Sequence, residues 1–198
     1  MKSLTICLTP DDVEQRLAKL GIRCAFTPEE RAQYATTPLV SGAERLFAFP
    51  MPAVPAENVL SLSHIKDCVG TDPARQPCFF EHPWYSDEAF MQTRIAGGWH
   101  VLSMDVLADS ILQPANYLGS LPTAIEIVLM LFLHYVGTGE QLLLKKHSWC
   151  ADSATLGRQV TVGAFGRNGV FISGHPPNFV SRGLGTCARV SVPKLPDI

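Results

Sequence analysis

The chain has 198 residues, 46% of them hydrophobic and 17% charged, with a net charge of −2. That apolar content excludes a disordered chain, and the length suits one well-filled core, so a single globular domain is expected over residues 1–198. The near-neutral balance, with no recognisable nucleic-acid module, argues against nucleic acid as a partner.

In chain order, Asp11 and Asp12 interrupt the N-terminus before any apolar region of signal-peptide length, so no secretion leader is expected. Thr9-Pro10-Asp11-Asp12 reads as an N-cap, a proline in the first turn and two acids at the positive end of a helix dipole. Val13, Leu17 and Leu20 follow at helical spacing, and Gly21 ends the element. Thr27-Pro28-Glu29-Glu30 repeats the signal for a shorter helix to about Ala35, completing a helical N-terminal segment over residues 1–45.

The main body is expected over residues 46–192. Pro38, Pro50, Pro52 and Pro55 suggest extended, loop-like chain, with Leu46, Phe47 and Phe49 packing down on the body. Leu60 and Leu62 alternate with Ser61 and Ser63, predicting a strand over Asn58 to Lys66. Ser86-Asp87-Glu88 reads as the start of a short helix carrying Phe90 and Met91, and a strand is expected near Trp99 to Val106.

Thr123 to Gly137 is the clearest element. Thr123 and Glu126 form a capping box, Gly137 suits a left-handed C-cap, and almost every residue between them is apolar, so this helix belongs inside a core or interface. It is too short for the roughly 20 residues that span a membrane. The segment from Gln141 reads as a strand or a helix. Gln159 to Ser173 reads as a hairpin about Gly166-Arg167-Asn168-Gly169, because Asn-Gly tolerates the positive φ of tight turns. A last strand is expected from Thr186 to Val192. The predicted class is α+β, with a central buried helix at about 123–136 packed against an antiparallel sheet and flanked by the N-terminal helices.

The six cysteines are scattered without a CxxC pair, which fits reduced thiols in a cytoplasm. His64/Cys68, Cys78/His82 and His147/Cys150 are the only close mixed pairs, a weak signal for zinc, so no metal is expected. No cofactor is expected either. Gly183-Leu-Gly185-Thr-Cys-Ala188 has the letters of a dinucleotide loop, but a strand-like run follows where a helix is required.

Charge is uneven. Residues 1–140 hold nine Lys/Arg against sixteen Asp/Glu, or −7, and residues 141–198 hold seven against two, or +5. Either the two halves interleave their charges, or Lys145, Lys146, Arg158, Arg167, Arg182 and Arg189 form a basic face for an anionic ligand or protein partner. The polar and aromatic candidates for such a site are His82, Trp84, Tyr85, His147, Cys150, His175 and Arg182, drawn from three segments. His147 and Cys150 would point to opposite faces of a strand, which argues against a local Cys/His dyad.

Phe49-Pro-Met-Pro52, Trp84-Tyr85 with Glu88 and Phe90, Gly98-Trp99, Pro122-Thr-Ala-Ile-Glu126, Tyr135 with Thr138-Gly139-Glu140, and Val160-Thr-Val-Gly163 through Asn168-Gly169 resemble a group of uncharacterised bacterial proteins over about residues 46–173. The resemblance implies a bacterial intracellular origin and transfers no catalytic residue.

The functional expectation is a non-catalytic binding or interaction protein, since no standard catalytic signature is met. The alternative is a hydrolytic or thiol-dependent enzyme with a Cys/His/Arg pocket. A third reading is a subunit of an assembly, such as a homo-oligomer whose interface contains the 123–136 helix.

Overall fold

The computed structural model describes residues 5–36, 45–53 and 60–190. The class is α+β: helices α1 (Pro10–Lys19), α2 (Pro28–Tyr34), α3 (Leu62–Val69) and α4 (Ala124–Thr138) accompany two sheets. The first sheet has the order β1 (Thr5–Cys7), β2 (Leu46–Met51), β3 (Gly98–Ser103), parallel then antiparallel. The second has the order β6 (Gly169–His175), β5 (Arg158–Gly166), β4 (His147–Ala154), β7 (Leu184–Gly185). It is antiparallel except where β7 joins β4.

The core is built around α4, in which every residue from Ala124 to His134 is buried. The helix packs on α1, α3, β3, β4 and β5. Because the rest of its own chain covers it, α4 is a core element. Its N-terminal capping box is present, with the Thr123 amide donating to Glu126 Oε2 at 2.7 Å. The C-terminus departs from expectation. Gly137 stays helical and the left-handed cap is Gly139, at φ 75°. Gly137 serves packing instead: a Cβ there would run into the Arg16 guanidinium, whose Nη1 donates to the Leu133 carbonyl at 2.9 Å.

Both N-terminal helices carry capping boxes, Thr9 with Asp12 and Thr27 with Glu30. The strand expected over Asn58 to Lys66 is corrected to α3, while residues 58 and 59 lie outside the described set. Leu60 and Leu62 have strand spacing but Leu62 and Ile65 have helical spacing, and Ser61 decides the matter by accepting the His64 amide as an N-cap. The proline-rich stretch is also corrected, since Leu46–Met51 is the middle strand of its sheet. Pro50 is tolerated there because β1 pairs only as far as Ala48, leaving β3 as the one strand neighbour beyond it among the described residues. Pro38 and Pro55 lie outside the described residues.

The strand sought from Gln141 begins at His147, because Leu143 takes a positive φ of 53° and breaks the run. The strand sought over Thr186 to Val192 is largely replaced by irregular chain, and residues 191 and 192 lie outside the described set. Three buried serines hold it: Ser110, Ser148 and Ser103 accept the amides of Thr186, Cys187 and Ala188 at 2.9, 2.9 and 2.7 Å. Side-chain hydroxyls satisfy these donors where a ladder does not. The two halves do interleave charge, through Lys146 with Asp105 at 2.6 Å and Arg189 with Glu126 at 3.2 Å. Among the described residues no helix is long and apolar enough to cross a membrane.

Candidate ligand-binding face

Strand alternation gives the second sheet two unlike faces. Cys150, Val160, Val162, Val170 and Ile172 join the core with α4. The alternate positions place His147 and Trp149 of β4, Thr161 and Gly163 of β5, and Phe171, Ser173 and His175 of β6 on the other face. The register sets Trp149 beside Thr161 and Ser173, and His147 beside Gly163 and Phe171. Gly163 is fixed by this pairing, since a Cβ would lie 2.6 Å from the His147 Cα.

The face is imidazole-rich and aromatic. Phe171 meets the rings of His147 and His82 edge-on at 6.0 and 6.4 Å. His175 lies edge-on to Trp149 at 6.2 Å and stacks on Phe179 at 4.6 Å. A hydrogen-bond chain runs along it, Thr161 Oγ1 to Ser173 Oγ at 2.7 Å and Ser173 Oγ to His175 Nε2 at 3.0 Å. Nε2 of His147 and Nε1 of Trp149 are buried without a hydrogen-bond partner among the described residues. Burial, then the neighbouring His175, lowers the pKa of His147; burial, then Arg158, lowers that of His175. Both imidazoles therefore favour the neutral form at neutral pH.

Of the sequence candidates, His82, His147 and His175 come together here. Trp84 sits at the β6 edge, its Nε1 donating to the Ile172 carbonyl at 3.1 Å. Tyr85 is buried, its hydroxyl donating to the Phe80 carbonyl at 2.8 Å and its ring under Lys66 Nζ at 4.6 Å. Cys150 points into the core, away from His147. Burial, then Asp152, raises its thiol well above the usual range, so a thiolate nucleophile is disfavoured there. Arg182 lies exposed in the loop before β7, and neither it nor Arg158 has an ion-pair partner among the described residues. Phe171, Ser173, Thr161, Trp149 and Phe179 were not singled out from sequence. Alternation back from His175 was the signal that would have found Ser173 and Phe171.

A cleft of about 970 Å³ lies along α1, lined by Asp11, Glu14, Cys24, Met51 and Leu60 among others. Size alone does not make it a site, because its carboxylates are already engaged. Glu14 binds Arg31 Nη2 at 2.6 Å and the Phe26 amide at 2.7 Å, and Asp11 pairs with the same arginine. Among the described residues no group of three or more His, Cys, Asp or Glu side chains is arranged to hold a metal ion. Comparison with protein-family models, with curated proteins and with solved structures finds no match.

Proposed function

We propose that this chain is a non-catalytic binding protein of the bacterial cell interior that takes an anionic ligand on the outer face of the four-stranded sheet. The observation that carries the reading is composition at close quarters. His82, His147 and His175 gather on one face with Arg158 near His175, and no side chain that β4, β5 or β6 presents there is a carboxylate. Such a surface offers an anion neutral imidazole N–H donors and the positive charge of Arg158, with no carboxylate from these strands to repel it. The bacterial and intracellular parts rest on the sequence resemblance and on Cys24, Cys68, Cys78, Cys150 and Cys187 being thiols.

Methyl phosphate, an anion with no ring, is the first probe. Its titration is expected to move the imidazole NMR signals of His147 and His175, with an affinity that falls as salt is raised. Histidine signals that stay fixed at millimolar methyl phosphate would remove the reading.

Hydrolysis is the second reading, and one observation favours it: Ser173 Oγ lies 3.0 Å from His175 Nε2, within reach for a nucleophile and its base. Among the described residues no carboxylate hydrogen-bonds His175, so the third member of a triad is missing. A fluorophosphonate probe decides between them. The binding reading expects no adduct, whereas stoichiometric labelling abolished by Ser173→Ala would establish the hydrolase.

A further inference from the structure

Beside this face stand two turns of the same design. Pro114-Ala-Asn116-Tyr117 and Pro176-Pro-Asn178-Phe179 each begin with proline, carry asparagine third and end on an aromatic residue. Each closes on itself, the Tyr117 amide donating to the Pro114 carbonyl at 3.1 Å and the Phe179 amide to the Pro176 carbonyl at 2.9 Å. A further bond joins them, from the Ala115 amide to the Pro177 carbonyl at 2.9 Å. The two aromatic side chains each follow that bond by two residues. Tyr117 is 77% exposed and Phe179 41% exposed.

Isolated apolar groups on a surface are ordinary, but this pair is built. Proline limits the freedom of both turns, so the rings are held out at little further ordering cost when they bind. Ala115 is anchored below on Trp149 and Leu184, and Phe179 continues the stack through His175 to Trp149. Exposed Leu112 and Val180 flank the turns. The aromatic surface is thus continuous with the imidazole face.

We propose that the twin turns form an aromatic clamp for a planar ring, and that the ligand of this protein is an aromatic compound carrying a negatively charged group. The anionic part rests on the function proposed above, whereas the clamp rests on Tyr117 and Phe179. The ring packs against these two side chains while its charged substituent lies toward His175 and Arg158.

The experiment is an NMR titration of the full chain with phenyl phosphate, methyl phosphate and benzyl alcohol, read separately at the histidines and at the Tyr117 and Phe179 ring signals. Phenyl phosphate is expected to bind about tenfold more tightly than methyl phosphate, the usual scale of one aromatic contact. Tyr117→Ala should erase most of that advantage and leave methyl phosphate affinity unchanged; Phe179→Ala should erase the advantage as well, with methyl phosphate affinity free to change because its ring stacks on His175. Tyr117→Ala is the cleaner of the two, because Phe179 also touches His175. Equal affinity for the two phosphates, with unmoved ring signals, would overturn the clamp and leave the anion reading standing. Benzyl alcohol moving both rings while neither phosphate moves a histidine would support the clamp, overturn the anion reading and with it the charged group assigned to the ligand.

Discussion

Glu126→Ala is expected to cost about 3–5 kcal/mol in chemical denaturation, the scale on which a buried charge pair fails when one partner is removed. Glu126 is 1% exposed and serves three elements at once. Its Oε1 lies 2.7 Å from His100 Nδ1 on β3 and 3.2 Å from Arg189 Nε, and its Oε2 accepts the Thr123 amide at 2.7 Å. His100 is committed as well, with Nε2 2.9 Å from the Ala96 carbonyl and its ring stacked on Phe49. Alanine would leave a buried imidazole and a helix N-terminus without their shared acceptor. Glu126→Gln keeps the cap and loses the charge, so it should fall between alanine and the parent chain.

The pH dependence follows from the same contacts. Burial is the largest influence on Glu126 and raises its pKa, but His100, the Thr123 amide and Arg189 together outweigh it, and the net shift is downward. A depressed carboxyl gives stability that is fully present above its ordinary value of 4.5 and is lost as pH falls through the folded-state value. Asp152, raised above its ordinary 3.8 chiefly by burial, acts in the opposite sense: its contribution is present below 3.8 and lost as pH rises through its folded value. Denaturation curves below pH 4.5 should therefore show a shallower acid loss in Glu126→Gln than in the parent chain. Identical acid limbs would mean that Glu126 is not the depressed group.

Local signals with one physical solution were legible in the sequence. Thr9/Asp12, Thr27/Glu30 and Thr123/Glu126 are side-chain-to-backbone bonds within three residues, and Asn168-Gly169 is a turn preference needing no partner. Elements whose identity depends on distant chain were not. Leu60 to Ile65 has apolar spacing that serves strand or helix, and the Ser61 cap selects the helix. Thr186 to Ala188 looks like a strand by composition, yet serines about 40 and 80 residues upstream take its amides. The candidate face divides in the same way. His147 and Cys150 were separable by alternation alone, but bringing His82 to Phe171 depends on the strap of residues 78–80 pairing with the start of β6. Tyr117 drew no notice because nothing within its own segment links Pro114 to Pro176.

That strap gives the second large effect. Gly169→Ala is expected to cost about 3 kcal/mol or more, the sum of a left-handed backbone penalty and a collision that cannot be relieved by a side chain. Gly169 has φ +96°, and a Cβ there would lie 2.6 to 2.8 Å from the backbone of Cys78, Phe79 and Phe80. Those residues bind β6 through Phe80 amide to Val170 carbonyl and Val170 amide to Cys78 carbonyl, both at 2.9 Å. Alanine must push the strap away from the strand, and His82, Trp84 and Tyr85 travel with it. Gly157→Ala supplies the comparison, since its φ is +66° with no heavy atom within 4 Å of the added carbon. It should lose only about 1–2 kcal/mol, the conformational part alone. The difference between the two variants isolates the close approach of strap and strand, and amide exchange at Phe80 and Val170 should quicken in Gly169→Ala but not in Gly157→Ala. Equal losses, with both amides still protected, would mean that the strap does not depend on the missing side chain. A strap released in Gly169→Ala should also weaken the edge contact between His82 and Phe171, while the hydrogen-bond chain from Thr161 to His175 persists.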